Sequence, residues 1–446
     1  MSRPILITSA RIIDPASGSD RTGDLFMRDG VIADAPETAP ADALVVDGKG
    51  LVAAPGFIDL HAHLREPGFE DKESIETGTA AAAAGGFTTV CAMPNTSPAI
   101  DTAAVVDFIA HRAREAGPVR VLAFGAVSRG RQGVELTDME ELARAGVVGF
   151  TDDGSPVATG LLMEHALLYA GELGLPVMDH CEDHSITAGL GMHEGAASSR
   201  LGLAGYPSAA EESLVARDIA LLGLTGGHFH VAHVSTAGAV EMVRMAKRRG
   251  LRVTAEVTPN HLTMTDEWVL GANGSTDGIA GPLTLAAYET RAKVSPPLRS
   301  RTDRDALVEG LRDGTIDAVA TDHAPHTFGD KATPFDEAAV GISTLETALG
   351  SLMRLVRLGA IDLPTLVARL TGGPASVLGE RYANLASLAV GTPADVVLFD
   401  PEERWTVDVS RFASKGKNTP LSGQTLQGRV RMTIAGGEIA FGGGRP

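Results

Sequence analysis

The stretch Gly56-Phe57-Ile58-Asp59-Leu60-His61-Ala62-His63 is an apolar run that ends in two histidines, and Arg65 follows it closely. Because Pro55 interrupts whatever precedes it, the run predicts a buried β-strand that enters a core. Residues i and i+2 of a strand face the same side, so His61 and His63 would converge on one point at its C-terminal end. A metal ion could bind there, and simple packing with surface charge is the alternative. This strand alone leaves both open.

Seven further strand patterns follow, separated by helical patterns of which many end at a glycine. Eight strands, each followed by a helix or a long loop, are typical of a (β/α)8 TIM barrel, so we predict this α/β fold. An open doubly wound sheet is the alternative, but no Gly-x-Gly-x-x-Gly motif follows an early strand. The predicted strands are Gly56–His63, Phe87–Ala92, Val119–Ala126, Val147–Thr151, Pro176–His180, His228–His233, Arg252–Val257 and Ile316–Thr321. The predicted helices are Glu73–Ala84, Thr102–Ala116, Thr137–Ala145, Thr159–Leu173, Ala209–Leu222, Ala237–Arg249, Ala306–Arg312, Thr344–Leu358 and Leu363–Leu370.

Both ends of the chain carry short strand patterns separated by Gly and Pro turns, and the N-terminal end contains no convincing helix. Neither end is long enough to form a comfortable sheet alone. We therefore predict a small β-sandwich domain built from residues 1–55 and 380–446, beside a catalytic barrel of residues 56–379. Its predicted strands are Ile5–Ile13, Leu25–Arg28, Val31–Ala33, Ala43–Val46, Ala394–Asp400, Trp405–Val407, Arg429–Ala435 and Glu438–Phe441.

The chain has 446 residues and a formal charge of −18, which argues against nucleic acid or an anionic membrane surface as its main partner. No run of about eighteen apolar residues occurs, so we expect no membrane span. Two cysteines, Cys91 and Cys181, cannot form a disulfide framework. Together with the lack of a signal-peptide pattern, they favour a cytoplasmic location.

Side chains that can bind a metal follow five of the eight predicted strands. The C-terminal ends of barrel strands form one rim, so these side chains would meet there. Four imidazoles with carboxylates suit Zn²⁺, with Mn²⁺, Co²⁺ or Fe²⁺ as alternatives. A catalytic zinc usually has three protein ligands, so four histidines leave open one ion or two that share a carboxylate. The residues are His61, His63, Asp152, Asp153, His180, His233 and Asp322, the last as ligand, general base or both.

Four motifs together resemble the dihydroorotases, more narrowly the class I bacterial type among the cyclic amidohydrolases of the amidohydrolase superfamily. They are the stretch from Gly56 to Gly68, Met93-Pro94-Asn95-Thr96, Asp179-His180-Cys181-Glu182-Asp183 and Thr321-Asp322-His323-Ala324-Pro325-His326. The resemblance extends over essentially the whole chain, including Lys417-Asn418-Thr419-Pro420. It implies the reversible cyclisation of N-carbamoyl-L-aspartate to L-dihydroorotate in pyrimidine biosynthesis.

The resemblance also implies roles for individual residues. His61 and His63 would hold one zinc ion and His180 and His233 a second, and the spacing to His180 favours Asp153 over Asp152 as the bridging carboxylate. Asp322 matches the catalytic acid/base, and it can also touch the metal. The residues implied in substrate binding are His63, Arg65, Asn95, Ser295, His326, Val340 and Gly341.

Hydantoinases, dihydropyrimidinases and allantoinases are similar to this chain, but their usual bridging ligand is a carboxylated lysine. No lysine occurs between Lys72 and Lys247, so the fourth strand cannot supply one. Arg65 also favours a dihydroorotase, since dihydroorotate carries a ring carboxylate that a guanidinium can bind at both oxygens. A further alternative is a non-catalytic relative that binds aspartate transcarbamoylase, although such proteins have lost metal histidines that this chain retains.

Two positions depart from the family pattern. Ser295 stands where bacterial relatives often carry asparagine, and Val340 stands where an aromatic residue is common. The resemblance also makes a homodimer the expected assembly, with aspartate transcarbamoylase as a possible partner. The segment from His326 to Gly341 is either a lid over the site or an ordinary surface loop.

Overall fold

A computed structural model describes residues 3–187, 190–273 and 285–442. Its strands are β1 (Ile5–Asp14), β2 (Ser19–Arg28), β3 (Val31–Ala33), β4 (Leu44–Asp47), β5 (Val52–Pro55), β6 (Phe57–Ala62), β7 (Phe87–Ala92), β8 (Arg120–Ala123), β9 (Val177–Asp179), β10 (Met192–His193), β11 (Gly205–Tyr206), β12 (Phe229–Val231), β13 (Val253–Val257), β14 (Ala318–Val319), β15 (Val396–Thr406), β16 (Thr425–Ala435) and β17 (Glu438–Gly442).

The described α-helices are α1 (Ile75–Ala84), α2 (Ala103–Ala116), α3 (Met139–Ala145), α4 (Gly160–Glu172), α5 (His184–Thr187), α6 (Ala196–Leu201), α7 (Ala209–Thr225), α8 (Ala237–Arg248), α9 (Pro259–Thr263), α10 (Arg301–Asp313), α11 (Phe328–Lys331), α12 (Ala348–Arg357), α13 (Leu363–Leu370) and α14 (Gly372–Leu378). Short 3-10 helices span Arg129–Arg131, Asp266–Asn273, Thr290–Ala292, Leu345–Thr347, Glu380–Ala386 and Val409–Arg411. Within the described ranges, no helix is both long and apolar enough to cross a membrane.

The central strands run parallel in two groups, as the alternating pattern predicts. One group has the order β6-β7-β8 and the other β14-β13-β12-β9. Single bridges also join Gly125 to Phe150, Phe150 to Val177, and Ala62 to His323. The carboxyl ends of neighbouring parallel strands lie at the same edge, so residues that follow them are brought together.

Seven of the eight predicted central strands coincide with observed ones, but Val147–Thr151 is not a continuous strand. Within it only Phe150 bridges to its neighbours. The segment is bounded by Gly146, the left-handed C-cap of α3, and by a turn that begins at Asp152. Between them, isolated bridges at Phe150 take the place of a continuous ladder.

Two predicted helices differ in their bounds. The one predicted at Thr344–Leu358 divides into the 3-10 turn Leu345–Thr347 and α12. The one predicted at Ala306–Arg312 belongs to the longer α10. α10 begins earlier because Ser300 caps it, and the Ser300 hydroxyl accepts a hydrogen bond from Asp303 N at 3.2 Å.

The central strands are apolar on both faces, as expected for parallel strands covered by helices. Phe57, Val90 and Phe229 belong to a large core that includes the packed helices. Ile58 and Met178, which alternate with such residues along the strands, belong to a separate buried cluster. The strand ends are therefore held between two apolar layers.

Strands from both ends of the chain share one sheet, with the order β17-β16-β15-β5-β1-β2-β3 and with β4 on β1. The link is β5, whose Pro55 pairs with Val396 of β15 in antiparallel register. A register shift between Ile7 and Ala10 lets β4 and β5 pair with successive parts of the same β1 edge. Residues 1–2 and 443–446 of the predicted β domain lie outside the described residues.

The segment from His326 to Gly341 contains α11 and is tied down by a buried lysine. Lys331 is 6% exposed, and its Nζ donates to the main-chain oxygens of Thr290, Lys293 and Ala339 at 3.0, 3.1 and 2.6 Å. Three carbonyl acceptors match the three N–H donors of an ammonium group. Any movement of this segment would have to break these three hydrogen bonds.

Candidate metal centre and substrate cavity

The strand ends bring six side chains to one place, and all of them are buried, being at most 6% exposed. His61 lies on β6 and His63 directly follows it, while Asp322 follows β14. His180 and His233 follow β9 and β12 in the same way. The set, which the sequence predicts as metal ligands, is His61, His63, Asp153, His180, His233 and Asp322.

Nitrogen and oxygen atoms face one another in the first half of this cluster. His61 Nε2 lies 3.2 Å from Asp153 Oδ2, and His63 Nε2 lies 3.5 Å from the same oxygen. Asp322 Oδ1 lies 3.1 Å from His63 Nε2 and 3.7 Å from His61 Nε2. Atoms bound tetrahedrally at zinc distances are about 3.3 Å apart. The four atoms therefore have the spacing of a cation-binding set.

Asp153 joins this set to a second one. Its Oδ1 lies 3.6 Å from His180 Nδ1 and 3.5 Å from His233 Nε2, and those two nitrogens are 2.8 Å apart. The carboxylate thus presents one oxygen to each half of the cluster. Asp153 Oδ1 and His61 Nε2 are buried, and neither has a hydrogen-bond partner among the described residues. Because such atoms are costly to bury unsatisfied, they fit a site that binds a cation.

The pKa values of the cluster show that it favours positive charge. Burial opposes ionisation of Asp153, yet the charge of His61 and the nearby imidazoles of His180 and His233 hold its pKa well below the usual range. Burial would lower the pKa of His180, but the nearby carboxylates of Asp153 and Glu182 raise it to about 10. A metal ion and protons would compete for these imidazole nitrogens.

Asp152, the alternative to Asp153, faces away from the cluster. Its carboxylate accepts hydrogen bonds from Ser128 N, at 3.0 Å, and from the Ser128 hydroxyl. Its main-chain oxygen accepts from Arg131 Nε and Nη2 at 3.2 and 3.0 Å. Asp152 therefore anchors the turn that aims Asp153 at the histidines.

Three residues of the site have backbone conformations that side chains other than glycine rarely adopt. The φ angles are 63° at Arg65, 28° at His233 and 44° at Asp322. Such conformations cost about 1–3 kcal/mol each and persist where the surrounding structure enforces them. Here they direct a guanidinium, an imidazole and a carboxylate towards the same space.

A cavity of about 610 Å³ opens onto the cluster. Every residue that the sequence predicts for substrate binding lines it: His63, Arg65, Asn95, Ser295, His326, Val340 and Gly341. Other lining residues were not predicted, namely Arg131, Gly154, His184, Thr187, Leu190 and Ala324. Gly154, Leu190 and Ala324 lie on loops, Arg131 belongs to a short 3-10 helix, and His184 and Thr187 belong to the short α5. Loops and helices this short give no strand or helix pattern in the sequence.

Arg65 is a partly buried cation beside this cavity. Burial lowers its pKa to about 10, against the opposing effect of Asp322 and Asp153. Its Nε donates to Pro325 O at 3.3 Å. Within the described part of the chain it forms no ion pair with a carboxylate, although both aspartates are near. A guanidinium so placed can bind an anionic ligand.

The other predicted substrate residues are held by neighbours. Asn95 Oδ1 lies 2.9 Å from His63 Nδ1, and His326 Nε2 donates to Val340 O at 2.8 Å. The Ser295 hydroxyl donates to Glu182 Oε2 at 3.2 Å. Gly341 has a φ of 139°, and a Cβ there would meet Ala324 Cβ at 2.7 Å, so this wall of the cavity requires a glycine.

The sequence patterns do not predict one buried carboxylate that contacts the cluster, that of Glu256. Glu256 Oε1 lies 2.8 Å from His61 Nδ1, on the side of the ring away from Asp153. The available signal is its position on β13, where a charged residue stands among apolar ones in Arg252-Val253-Thr254-Ala255-Glu256-Val257.

Comparison with known proteins gives two consistent results. In sequence, a family model described as "Dihydro-orotase-like" matches residues 50–239. A protein named dihydroorotase from Anaeromyxobacter sp. (strain K) is 51% identical over 448 residues, covering 100% of this chain and 99% of the relative. One of the same name from Pelotomaculum thermopropionicum is 48% identical over 439 residues, covering 98% of each.

In structure, an L-hydantoinase (dihydropyrimidinase) from Arthrobacter aurescens matches with a TM-score of 0.83 at 24% identity, covering 100% of this chain and 97% of the other. A dihydropyrimidinase from Brevibacillus agri matches with a TM-score of 0.80 at 24% identity, covering 98% and 94%. At this identity the likeness establishes the fold alone, which this chain shares with these two proteins. The chain belongs to the dihydroorotase family, since relatives of that name match its full length at about half identity.

Proposed function

We propose that this chain is a metal-dependent dihydroorotase, which interconverts N-carbamoyl-L-aspartate and L-dihydroorotate in pyrimidine biosynthesis. The observation that carries the proposal is Arg65, a partly buried guanidinium without a carboxylate partner among the described residues, at the wall of the cavity that contains the metal donors. The names of the full-length relatives support the same activity.

Arg65 distinguishes the proposed substrate from those of related enzymes. L-Dihydroorotate carries a carboxylate on its ring, which a guanidinium can bind with two parallel hydrogen bonds. Dihydrouracil has the same ring without that group, so a site built for it would leave Arg65 partly buried and unpaired. The cost of an unpaired, partly buried charge favours the acidic substrate.

We propose Zn²⁺ as the metal, bound as one ion or two. His61, His63 and Asp322 would hold one position and His180 and His233 the other, with Asp153 between them. The donor set of imidazoles and carboxylates supports zinc over magnesium or calcium. When bound, the ion would lower the pKa of a water molecule and polarise a carbonyl oxygen of the substrate.

Asp322 is the proposed acid and base. In cyclisation the carbamoyl nitrogen attacks the side-chain carboxyl carbon of the substrate, and Asp322 accepts the proton which that nitrogen loses. A C–O bond of that carboxyl group then breaks, and its oxygen leaves as water. In hydrolysis a water oxygen bonds to the ring carbonyl carbon, the C–N bond breaks, and Asp322 returns a proton to the departing nitrogen. The strained backbone at Asp322 supports this role, since it directs the carboxylate into the cavity.

The remaining cavity residues are proposed to orient the substrate. Asn95 lies beside His63 and is placed to share the substrate carboxylate with Arg65. His326 and Gly341 would border the pyrimidine ring, with Val340 next to them. Ser295 would act together with Glu182, to which its hydroxyl donates.

We further propose that the central strands close into a (β/α)8 barrel, residues 56–379, beside a composite β-sandwich of residues 1–55 and 380–446. The bridges at Phe150 and between Ala62 and His323 support closure, since they lie between the two parallel groups. A homodimer, with aspartate transcarbamoylase as a second partner, remains the proposed assembly. Two free, buried cysteines support a cytoplasmic location.

The test is a substrate panel with metal analysis on the purified protein. We expect bound zinc and hydrolysis of L-dihydroorotate, with far slower turnover of dihydrouracil and allantoin. Faster turnover of dihydrouracil or allantoin would identify a sister enzyme. Bound zinc with no turnover of any of the three would favour a non-catalytic partner protein.

A further inference from the structure

Glu256 lies on β13 and is fully buried, and each of its carboxylate oxygens meets an imidazole. Oε1 lies 2.8 Å from His61 Nδ1, and Oε2 lies 3.2 Å from His230 Nε2. No other described strand places a carboxylate against Nδ1 of His61. Glu256 therefore connects a residue of the metal cluster with one on β12 that lies outside it.

The hydrogen bonds continue beyond His230. Its Nδ1 lies 2.8 Å from the Thr254 hydroxyl, and His228 Nε2 lies 2.8 Å from the same hydroxyl. His228 and His230 are two residues apart, as are Thr254 and Glu256, so each pair faces one side of its strand. We call His61, Glu256, His230, Thr254 and His228 the histidine relay.

The donors of the relay can be assigned from its acceptors. A carboxylate only accepts, so His61 Nδ1 and His230 Nε2 both carry the hydrogens that point at Glu256. When the imidazole rings are neutral, His230 Nδ1 accepts from the Thr254 hydroxyl, which in turn accepts from His228 Nε2. This arrangement of neutral rings accounts for every hydrogen bond in the relay.

This arrangement decides which nitrogen of His61 is free. With its hydrogen on Nδ1, the ring presents an unprotonated Nε2 to Asp153 and Asp322. That atom is one of the buried nitrogens without a hydrogen-bond partner in the described structure. A metal ion requires such a lone pair.

We propose that Glu256 is a positioning residue that fixes the tautomer and orientation of His61 for metal binding, and that His230, Thr254 and His228 hold Glu256 in place. The inference rests on the proposed function, because it assumes a metal at the cluster. Glu256 does not line the substrate cavity, so its effect reaches the reaction through His61 and through the main-chain N–H of His233, which donates to Oε1 at 3.5 Å.

The chain offers a matched control in Glu73. Glu73 is also fully buried, and its Oε2 lies 3.3 Å from an imidazole, that of His323. His323 is not among the proposed ligands. Glu73→Gln therefore makes the same chemical change to a buried carboxylate–imidazole pair. It does not alter a hydrogen bond to the second ring nitrogen of a proposed metal ligand.

The experiment measures zinc affinity by competition with a chelator, together with the visible absorption of the Co²⁺-substituted protein. Glu256→Gln keeps the volume of the side chain but turns an N–H group towards one imidazole. We expect it to weaken zinc binding by about 10–100-fold and to change the Co²⁺ spectrum. Thr254→Val, at the far end of the relay, should weaken zinc binding by a smaller factor, on the order of 3-fold.

Glu73→Gln should leave zinc affinity and the Co²⁺ spectrum as in the wild type, whatever its effect on thermal stability. Wild-type zinc affinity and spectrum in both Glu256→Gln and Thr254→Val would overturn the inference. If Glu256→Gln does not fold, the zinc affinity and the Co²⁺ spectrum of Thr254→Val decide whether the inference holds. Failure of the wild-type protein to bind zinc at all would instead overturn the proposed function.

Discussion

At the residue scale, Asp152 and Asp153 are neighbours in the chain but have opposite surroundings. Asp153 faces four imidazoles, whereas Asp152 binds Ser128 and Arg131. We expect Asp153→Ala to lose bound metal, with activity reduced by a factor of at least about 10³. Asp152→Ala should retain metal, although it loses stability because two hydrogen bonds from Ser128 are lost. Metal analysis of both variants checks this, and the reverse pattern would exchange their roles.

Asp322 belongs to the proposed metal set and to the proposed proton transfer, and one substitution separates these roles. Asp322→Asn keeps an oxygen that can face the metal but cannot accept a proton. We expect metal content close to that of the wild type and a loss of turnover of about 10²–10⁴-fold. Near-normal turnover would exclude Asp322 as the acid and base.

The residues near the metal could largely be predicted because their signals are local. His61 and His63 are two apart on one strand, and the other four donors end strands of the same pattern. Glu256 could not be predicted as a partner of His61. That contact depends on how β6 and β12 lie against β13, and spacing along the chain does not contain it.

At the scale of elements, α11 and the segment around it are tied down by Lys331. Lys331→Met would remove three buried hydrogen bonds; the carbonyls of Thr290 and Lys293 would keep a main-chain N–H donor, and that of Ala339 would lose the donor which Lys331 supplies. We expect a loss of about 3 kcal/mol of stability and faster hydrogen exchange across residues 327–341. Lys72→Met is the control, since Lys72 forms a partly exposed ion pair with Asp330 in the same segment, 3.3 Å long. Its cost should stay under about 1 kcal/mol, and equal effects of the two substitutions would refute the anchoring role.

The order and the type of the elements could be predicted from the sequence, but their lengths could not. Val147–Thr151 has the composition of a strand, yet it forms only isolated bridges, at Phe150, to the segments on either side. Similarly, the predicted helix Thr344–Leu358 begins as a 3-10 turn. Tertiary contacts set these ends, and local sequence preference does not.

At the scale of the whole molecule, Glu346 links the central region to the C-terminal segment. Its carboxylate accepts hydrogen bonds from Ala413 N and Ser414 N at 2.9 and 3.3 Å. Burial raises its pKa from the ordinary 4.5 to about 7. A carboxyl group whose pKa is raised by folding stabilises the protein at low pH, and that contribution is lost as the pH rises through about 7.

Glu346→Gln keeps a hydrogen-bond acceptor and removes this titration. The variant should therefore gain stability relative to the wild type as the pH rises from about 4.5 to about 8, by about 2 kcal/mol at the upper end. Thermal unfolding of both proteins across that range measures the difference. A difference that is constant with pH would contradict the pKa shift at Glu346.

The sharing of one sheet by the two ends of the chain could be predicted because neither end has enough strands alone. The pairing of β5 with β15 could not, since it joins residues more than 300 positions apart in sequence. Family membership, in contrast, follows from the chain as a whole, and the full-length relatives agree with the motifs.

The central claim, that Arg65 and the metal cluster together serve an acidic dihydropyrimidine, is tested most directly by one comparison. The measurement is kcat/KM for L-dihydroorotate and for dihydrouracil in the zinc-loaded wild type and in Arg65→Met. We predict that the wild type strongly prefers L-dihydroorotate, and that Arg65→Met loses about 10²-fold or more on that substrate without a comparable loss on dihydrouracil. A wild type that prefers dihydrouracil, or an Arg65→Met variant that turns over L-dihydroorotate normally, would contradict it.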